Sequence, residues 1–207
     1  MGSGVPTRDV DTPHGRAVVH LDLLPEPAGA LVLGHGAGGG VTAPDLVAAT
    51  RAARDEGFSV VLVEQPYRVA GRRSPPRAAL LDVAWTAVMA DLASGELRGL
   101  RVVTGGRSSG ARVACRTAAA TGAAGVLCLA FPLQPPRRAG TTPAPSREDE
   151  LDRAGVDVLV VQGDRDPFGM PSPGPHRRVV PIAGDHRLRS DPGALATAVG
   201  DWLRAVV

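Results

Sequence analysis

Apolar residues recur along this chain in short continuous runs, and between the runs they recur at helical spacing. Ala30–Gly34, Ser59–Glu64, Arg101–Thr104 and Val156–Gln162 are four such runs, each ending in a glycine or polar loop. Gly125–Ala130 and Arg177–Ile182 are two further strand candidates. The runs are mostly continuous rather than alternating, as expected of strands covered on both faces. Amphipathic stretches lie between them. Pro44–Glu56 spaces Leu46, Ala49, Thr50 and Ala53 as one helix face, with Asp45 in its first turn and Gly57 as its stop. Arg77–Ala93 aligns Leu81, Ala84, Trp85, Val88 and Leu92, and Gly193–Ala205 aligns Leu195, Ala198, Val199, Trp202 and Leu203. At the start, Val5–Val10 and Ala17–Leu23 flank Pro13-His14-Gly15 and read as a β-hairpin. Strands alternating with helices predict an α/β fold, a doubly wound and mostly parallel sheet in three layers with an antiparallel hairpin at its start. A chain of 207 residues suits one domain spanning 1–207.

Two stretches rich in Pro and Arg, Gln65–Pro76 and Pro132–Pro145, each follow a strand. They are expected over the carboxyl edge of the sheet, where open α/β sheets bind ligands.

Composition narrows the chemistry. Apolar residues make up 43% and aromatics only 3%, so the core is expected to be Val, Leu and Ala packed by interdigitation. Every basic residue is Arg. Without lysine there is no P-loop lysine, no Schiff base and no Ser–Lys dyad. The net charge is +2 and the two signs are interspersed, which argues against a nucleic-acid face. Cys115 and Cys128 sit in apolar stretches and read as reduced, buried thiols. No Cys-x-x-Cys or zinc-like His spacing is present, so neither a metal nor an organic cofactor is implied. Met1–Asp9 lacks a signal-peptide pattern, and no run of about 18 apolar residues exists to span a membrane. A cytoplasmic location is the expectation.

Thr104-Gly105-Gly106-Arg107-Ser108-Ser109-Gly110 contains Gly-x-Ser-x-Gly after a strand and before a helix. A serine on so sharp a turn needs very small residues two positions away on each side, and Gly106 and Gly110 supply them. Ser109 is a poorer nucleophile candidate, because Arg107 is too large for the flanking position. A serine hydroxyl needs a base, and the base needs a partner to orient it. In this strand–turn–helix setting the order is Ser, then acid, then His. Asp164 and Asp166 both follow the strand that ends near Gly163. Asp166 is preferred because it clears the strand, while Asp164 suits a turn cap. His186 follows the next strand at the carboxyl edge. His176 precedes that strand, and His14 and His20 belong to the hairpin. The nucleophile, acid and base are therefore expected at Ser108, Asp166 and His186.

Gly34-His35-Gly36-Ala37-Gly38-Gly39-Gly40 also lies between a strand and a helix. It suits the loop that supplies an oxyanion N–H, with Ala37 and Ser109 as the expected backbone donors and His35 bonded within the loop. The same stretch reads as Gly-x-Gly-x-x-Gly through Gly34, Gly36 and Gly39, with Glu64 placed like a ribose-binding acid. A dinucleotide-binding oxidoreductase is therefore a rival, although the loop follows a hairpin rather than opening the domain.

The chain resembles the α/β-hydrolase superfamily from about Ala17 onward, and within it the small, lidless, dienelactone-hydrolase-like members. That group includes the hydrolase-like domain of a subunit of the non-specific-lethal acetyltransferase complex and a small testis-expressed protein. The likeness rests on Gly34–Gly38, Gly106–Gly110, Phe131-Pro132-Leu133-Gln134-Pro135-Pro136 and the stretch Gln162–Gly169. It implies a serine hydrolase acting on a small ester or thioester, with Ser108, Asp166 and His186 as its triad and no cofactor. Dienelactone hydrolases carry a Cys where this chain has Ser108. Some relatives are non-catalytic scaffolds, which is the alternative function. Arg68, Arg72, Arg73, Arg137, Arg138 and Arg165 follow strands at the active edge and are candidates to bind an anionic substrate group.

Overall fold

The computed structural model describes residues 5–136, 142 and 144–206. Arg137 and Arg138 lie outside the described residues. The chain opens with β1 (Thr7–Thr12) and β2 (Gly15–Asp22), joined by a two-residue turn. Thr12 Oγ1 donates to the Gly15 carbonyl at 2.6 Å and accepts from the His14 N–H at 3.2 Å, and Gly15 takes φ 106°. There follow β3 (Gly29–Gly34), α1 (Pro44–Asp55), β4 (Phe58–Glu64), α2 (Pro66–Val69), α3 (Ala78–Ser94) and β5 (Val102–Arg107). The chain continues with α4 (Ser109–Thr121), β6 (Gly125–Leu129), α5 (Glu148–Asp152), β7 (Asp157–Gly163), β8 (Arg177–Ile182) and α6 (Pro192–Val206).

The strands form one sheet in the order β1-β2-β4-β3-β5-β6-β7-β8. β1 with β2 and β2 with β4 are antiparallel; every other pair is parallel. The expected mostly parallel sheet with an antiparallel start is therefore what forms. The order differs from the 3-2-1-4-5-6 of a dinucleotide-binding fold.

Successive side chains of a strand face opposite layers. Leu31, Leu33, Val103, Leu127, Leu129, Leu159 and Val161 meet α1 and α6 through Leu46, Ala49, Trp202 and Leu203. Ala30, Val32, Val61 and Val63 meet α3 through Leu81, Trp85, Val88 and Leu92. Val126, Cys128, Val158 and Val160 meet α4 and α5. Both faces of the central strands are buried, which is why the sequence runs are continuous. Cys115 and Cys128 are free, buried and 3.4 Å apart at sulfur.

Three differences from expectation have physical causes. β5 continues through Gly105 and Gly106 to Arg107, three residues past the apolar run. Glycines disfavour a strand, but here the flanking strands hold them: Gly105 pairs with Leu33 and Leu127, and a Cβ on it would stand 2.9 Å from Leu127 Cβ. The Pro-Arg stretch Gln65–Pro76 contains the single turn α2, started by Pro66 at its first position. Within Pro44–Glu56 the buried face takes Ala52 and Asp45 along with Leu46, Ala49 and Ala53, whereas Thr50 is only half-buried.

Candidate active site

β5 delivers the chain to the carboxyl edge, and α4 takes it away, leaving Ser108 alone at the turn. Ser108 adopts φ 52° and ψ −106°. Such a conformation costs a non-glycine residue of order 1–3 kcal/mol and persists only where the surroundings enforce it. The surroundings do so at close range. A Cβ on Gly106 would stand 2.9 Å from the Gly110 carbonyl carbon and 3.0 Å from Gly34 N, and one on Gly110 would stand 2.9 Å from the His35 oxygen. The two glycines flanking the serine thus press on one another and on the end of β3. The Ser108 N–H is bonded to Leu129 O at 2.9 Å, tying the turn to β6. Among the described residues three non-glycines take positive φ: Ser108, Ala130 at 50° and Leu188 at 49°. All three lie past the carboxyl ends of strands.

His186 stands in the loop after β8. Its Nε2 is 3.0 Å from Ser108 Oγ, and its Nδ1 is 2.8 Å from Asp166 Oδ2. The Asp166 side chain is fully buried. Its Oδ2 also accepts from Gln162 Nε2 at 2.9 Å, and its Oδ1 accepts from the Phe168 N–H at 2.9 Å. A carboxylate so bonded is held in one orientation, and it favours the imidazole tautomer with the proton on Nδ1. The structure thus brings Ser108, His186 and Asp166 together.

Asp164, the other acid considered, is committed elsewhere. Its Oδ1 accepts from the Gly184 N–H at 2.8 Å, and Arg165 N–H donates to Gly184 O at 2.9 Å. These bonds extend the β7–β8 pairing into the loops that hold Asp166 and His186. Gly163 is needed at the join, since a Cβ there would stand 2.5 Å from the Asp185 carbonyl oxygen.

The loop after β3 closes the site from the other side. His35 is buried, and its Nδ1 lies 2.8 Å from Gly36 O while its Nε2 accepts from the Gln65 N–H at 3.1 Å. Burial pushes its pKa down, which suits the neutral tautomer these bonds require. His35 therefore bonds within and beside its loop, as expected. Tyr67 Oη donates to Ala37 O at 3.0 Å and fixes that peptide. Among the described residues, neither the Ala37 N–H nor the Ser109 N–H at the start of α4 donates to a protein acceptor.

Several of the remaining sequence candidates are engaged elsewhere. His176 Nδ1 is 3.1 Å from Asp157 Oδ1 at the opposite edge of the sheet, and His20 is 3.9 Å from Glu64. Arg165 pairs with Asp164 at 3.2 Å. Arg72 lines a cavity of about 470 Å³ with His14, Arg16, Tyr67 and Leu80. A second cleft, of about 490 Å³, adjoins the His186 loop and is lined by Gly38, Gly39, Gly40, Thr42, Arg107, Arg187 and Arg189. Of the arginines singled out from sequence, the described ones, Arg68, Arg72, Arg73 and Arg165, do not line it. Sequence reasoning missed Arg187 and Arg189 as parts of this region, and it gave Gln162 and Phe168 no role beyond their place in the stretch Gln162–Gly169. Arg187 carried one available signal, its position directly after His186.

The family model described as the alpha/beta hydrolase domain matches residues 27–174, and the chain belongs to that family. A comparison with curated proteins yields no match. Among solved structures the chain is similar to a serine hydrolase without a lid from Xanthomonas campestris. That likeness has 21% identity and a TM-score of 0.71 over 98% of this chain and 96% of that one. It is also similar to Est1E from Butyrivibrio proteoclasticus, with 16% identity and a TM-score of 0.77 over 97% of this chain and 98% of that one. Dienelactone hydrolase from Anabaena variabilis is similar at 17% identity, with a TM-score of 0.73 over 97% of this chain and 96% of that one. The fold is the α/β-hydrolase fold, and its structural neighbours include a serine hydrolase without a lid. No helix among the described residues is long and apolar enough to cross a membrane.

Proposed function

We propose that this chain is a serine hydrolase that cleaves small carboxylic esters or thioesters through an acyl-enzyme on Ser108. The observation that supports it most is the path from Ser108 Oγ through His186 to Asp166, at 3.0 and 2.8 Å, starting from a strained turn. In the proposed reaction His186 Nε2 takes the Ser108 proton while Oγ attacks the carbonyl carbon. The carbonyl oxygen becomes an oxyanion facing the Ala37 and Ser109 N–H groups, which no acceptor among the described residues occupies. Asp166 stabilises the imidazolium. His186 returns the proton to the leaving alcohol or thiol, and water repeats the sequence to release the acid.

Arg187 and Arg189 are exposed and have no carboxylate partner among the described residues. Their cleft beside the Gly38–Gly40 loop suits a substrate that carries an anionic group at one end. A panel of short-chain p-nitrophenyl esters, run beside Ser108→Ala, tests the reading. The wild type is expected to turn over at least one ester, and Ser108→Ala to lose on the order of 10⁴-fold or more in kcat. Equal hydrolysis by the two proteins contradicts it.

A further inference from the structure

Arg107 occupies the variable position before Ser108, and the proposed reaction gives it no task. Its guanidinium is nevertheless engaged on three sides. Nε lies 2.8 Å from Asp45 Oδ2. Nη2 donates to the carbonyl of His186 at 3.1 Å. Nη1 rests on Gly36, where a Cβ would stand 2.7 Å from it. One planar group therefore touches the first turn of α1, the loop after β3 and the loop that carries His186.

Asp45 is the fixed end of this arrangement. Its side chain is completely buried, and its Oδ1 accepts from the Leu46 N–H at 3.0 Å. Burial pushes the Asp45 carboxyl up, and the Arg107 charge opposes that shift. A buried ion pair contributes little net stability, because desolvation offsets the attraction. Breaking one half leaves the other charge buried and unpaired. What the pair supplies is geometry, since Arg presents its donors in a rigid fork. With Nε beside Asp45, Nη2 on the His186 carbonyl and the side chain only 17% exposed, most of the Arg107 guanidinium is turned to the protein rather than to a substrate anion.

We infer that Arg107 and Asp45 form a strut that sets His186 opposite Ser108 and holds Gly36, and hence the neighbouring Ala37 N–H, against the same serine. Arg107 is a positioning residue, and the kinetic consequence rests on the hydrolase reading above. Gly36 belongs to the device, because any side chain there displaces the guanidinium.

The test compares Arg107→Ala, Asp45→Asn and the double variant with the full-length wild type. For a short-chain p-nitrophenyl ester, each single change is expected to lower kcat about 10- to 100-fold, since displacing a reacting group by an ångström costs on that order. KM is expected to stay within about twofold. The double variant is expected to lose no more than the worse single one, because both changes break one unit. Amide hydrogen exchange is the second readout. Protection across Gly184–Arg189 is expected to fall in each variant, while β1 and β2 stay protected. Unchanged exchange in that loop, or kcat losses that multiply in the double variant, overturns the strut. If the wild type hydrolyses no ester, the hydrolase reading fails, and the exchange comparison still decides the strut. If Arg107→Ala does not fold, the near-isosteric Asp45→Asn carries both readouts.

Discussion

Phe168 lies against the imidazole of His186, with ring centroids 4.4 Å apart and planes inclined at 39°. The same residue donates its backbone N–H to Asp166. It therefore orients the Asp166 carboxylate through the main chain and supports the His186 imidazole through its ring. Phe168→Ala keeps the first contact and removes the second. The expected result is a fall in kcat of roughly 10-fold and a loss of about 1 kcal/mol of stability from the ring contact. Steady-state kinetics beside urea unfolding check both.

The glycines of the site divide into those that are crowded and those that are free. A Cβ on Gly106 collides with the carbonyl oxygen of Gly34, whereas one on Gly39 meets nothing within 4 Å. Gly106→Ala is expected to destabilise by about 3 kcal/mol or more, because the contact is with backbone that has nowhere to move. Gly39→Ala is expected to stay within roughly 0.5 kcal/mol of wild type. Denaturant midpoints of the two variants make the comparison.

α5 is tied to α4 by Glu150, which accepts from Arg112 at 2.6 and 2.8 Å and from Arg116 at 3.2 Å. Burial pushes the Glu150 carboxyl up, but the two arginines outweigh it and hold the pKa below the ordinary glutamate value. A folded-state pKa below the unfolded one means that the ionised form stabilises the fold. That contribution is fully present above the ordinary value of about 4.5 and is lost as pH falls through the lower folded value. Glu150→Gln is therefore expected to be less stable than wild type at pH 7, with the gap narrowing on acidification. Urea unfolding at pH 7 and at successively lower pH measures it. A gap that does not change with pH contradicts the assignment.

The cleft beside the His186 loop predicts a preference among esters. Arg187→Ala with Arg189→Ala is expected to raise KM for an ester bearing a carboxylate about 10-fold or more, the loss of a charge-assisted bidentate contact. KM for a neutral ester of similar length is expected to change little. A parallel rise for both esters contradicts an anion-binding role.

The sheet was legible because strands buried on both faces leave continuous apolar runs and helices leave a 3.6-residue stripe. Ser108, Asp166 and His186 were legible because each falls where a strand of that sheet ends. Phe168, Gln162 and Arg107 were not. Their importance depends on which side chain of a loop turns inward, and that is decided by Gly163, Gly36 and the β7–β8 register rather than by spacing. From sequence, Arg107 is a residue too large to flank a nucleophile at Ser109 and one position of the Gly106–Gly110 motif. Asp45 looked like an ordinary first-turn acid, and its burial follows from a partner 62 positions away. The arginines of Gln65–Pro76 stand out by their number, whereas Arg187 and Arg189, in the loop that bears His186, line the cleft there.

The proposed reaction requires Ser108 to be an activated nucleophile. Incubating the folded protein with a fluorophosphonate and measuring intact mass with peptide mapping tests it directly, without knowledge of the substrate. One adduct is expected, on Ser108, formed by the wild type and absent from Ser108→Ala, with labelling slowed sharply in His186→Ala. Folded wild-type protein that takes no label at Ser108 contradicts it and favours a scaffold that keeps the arrangement without the chemistry.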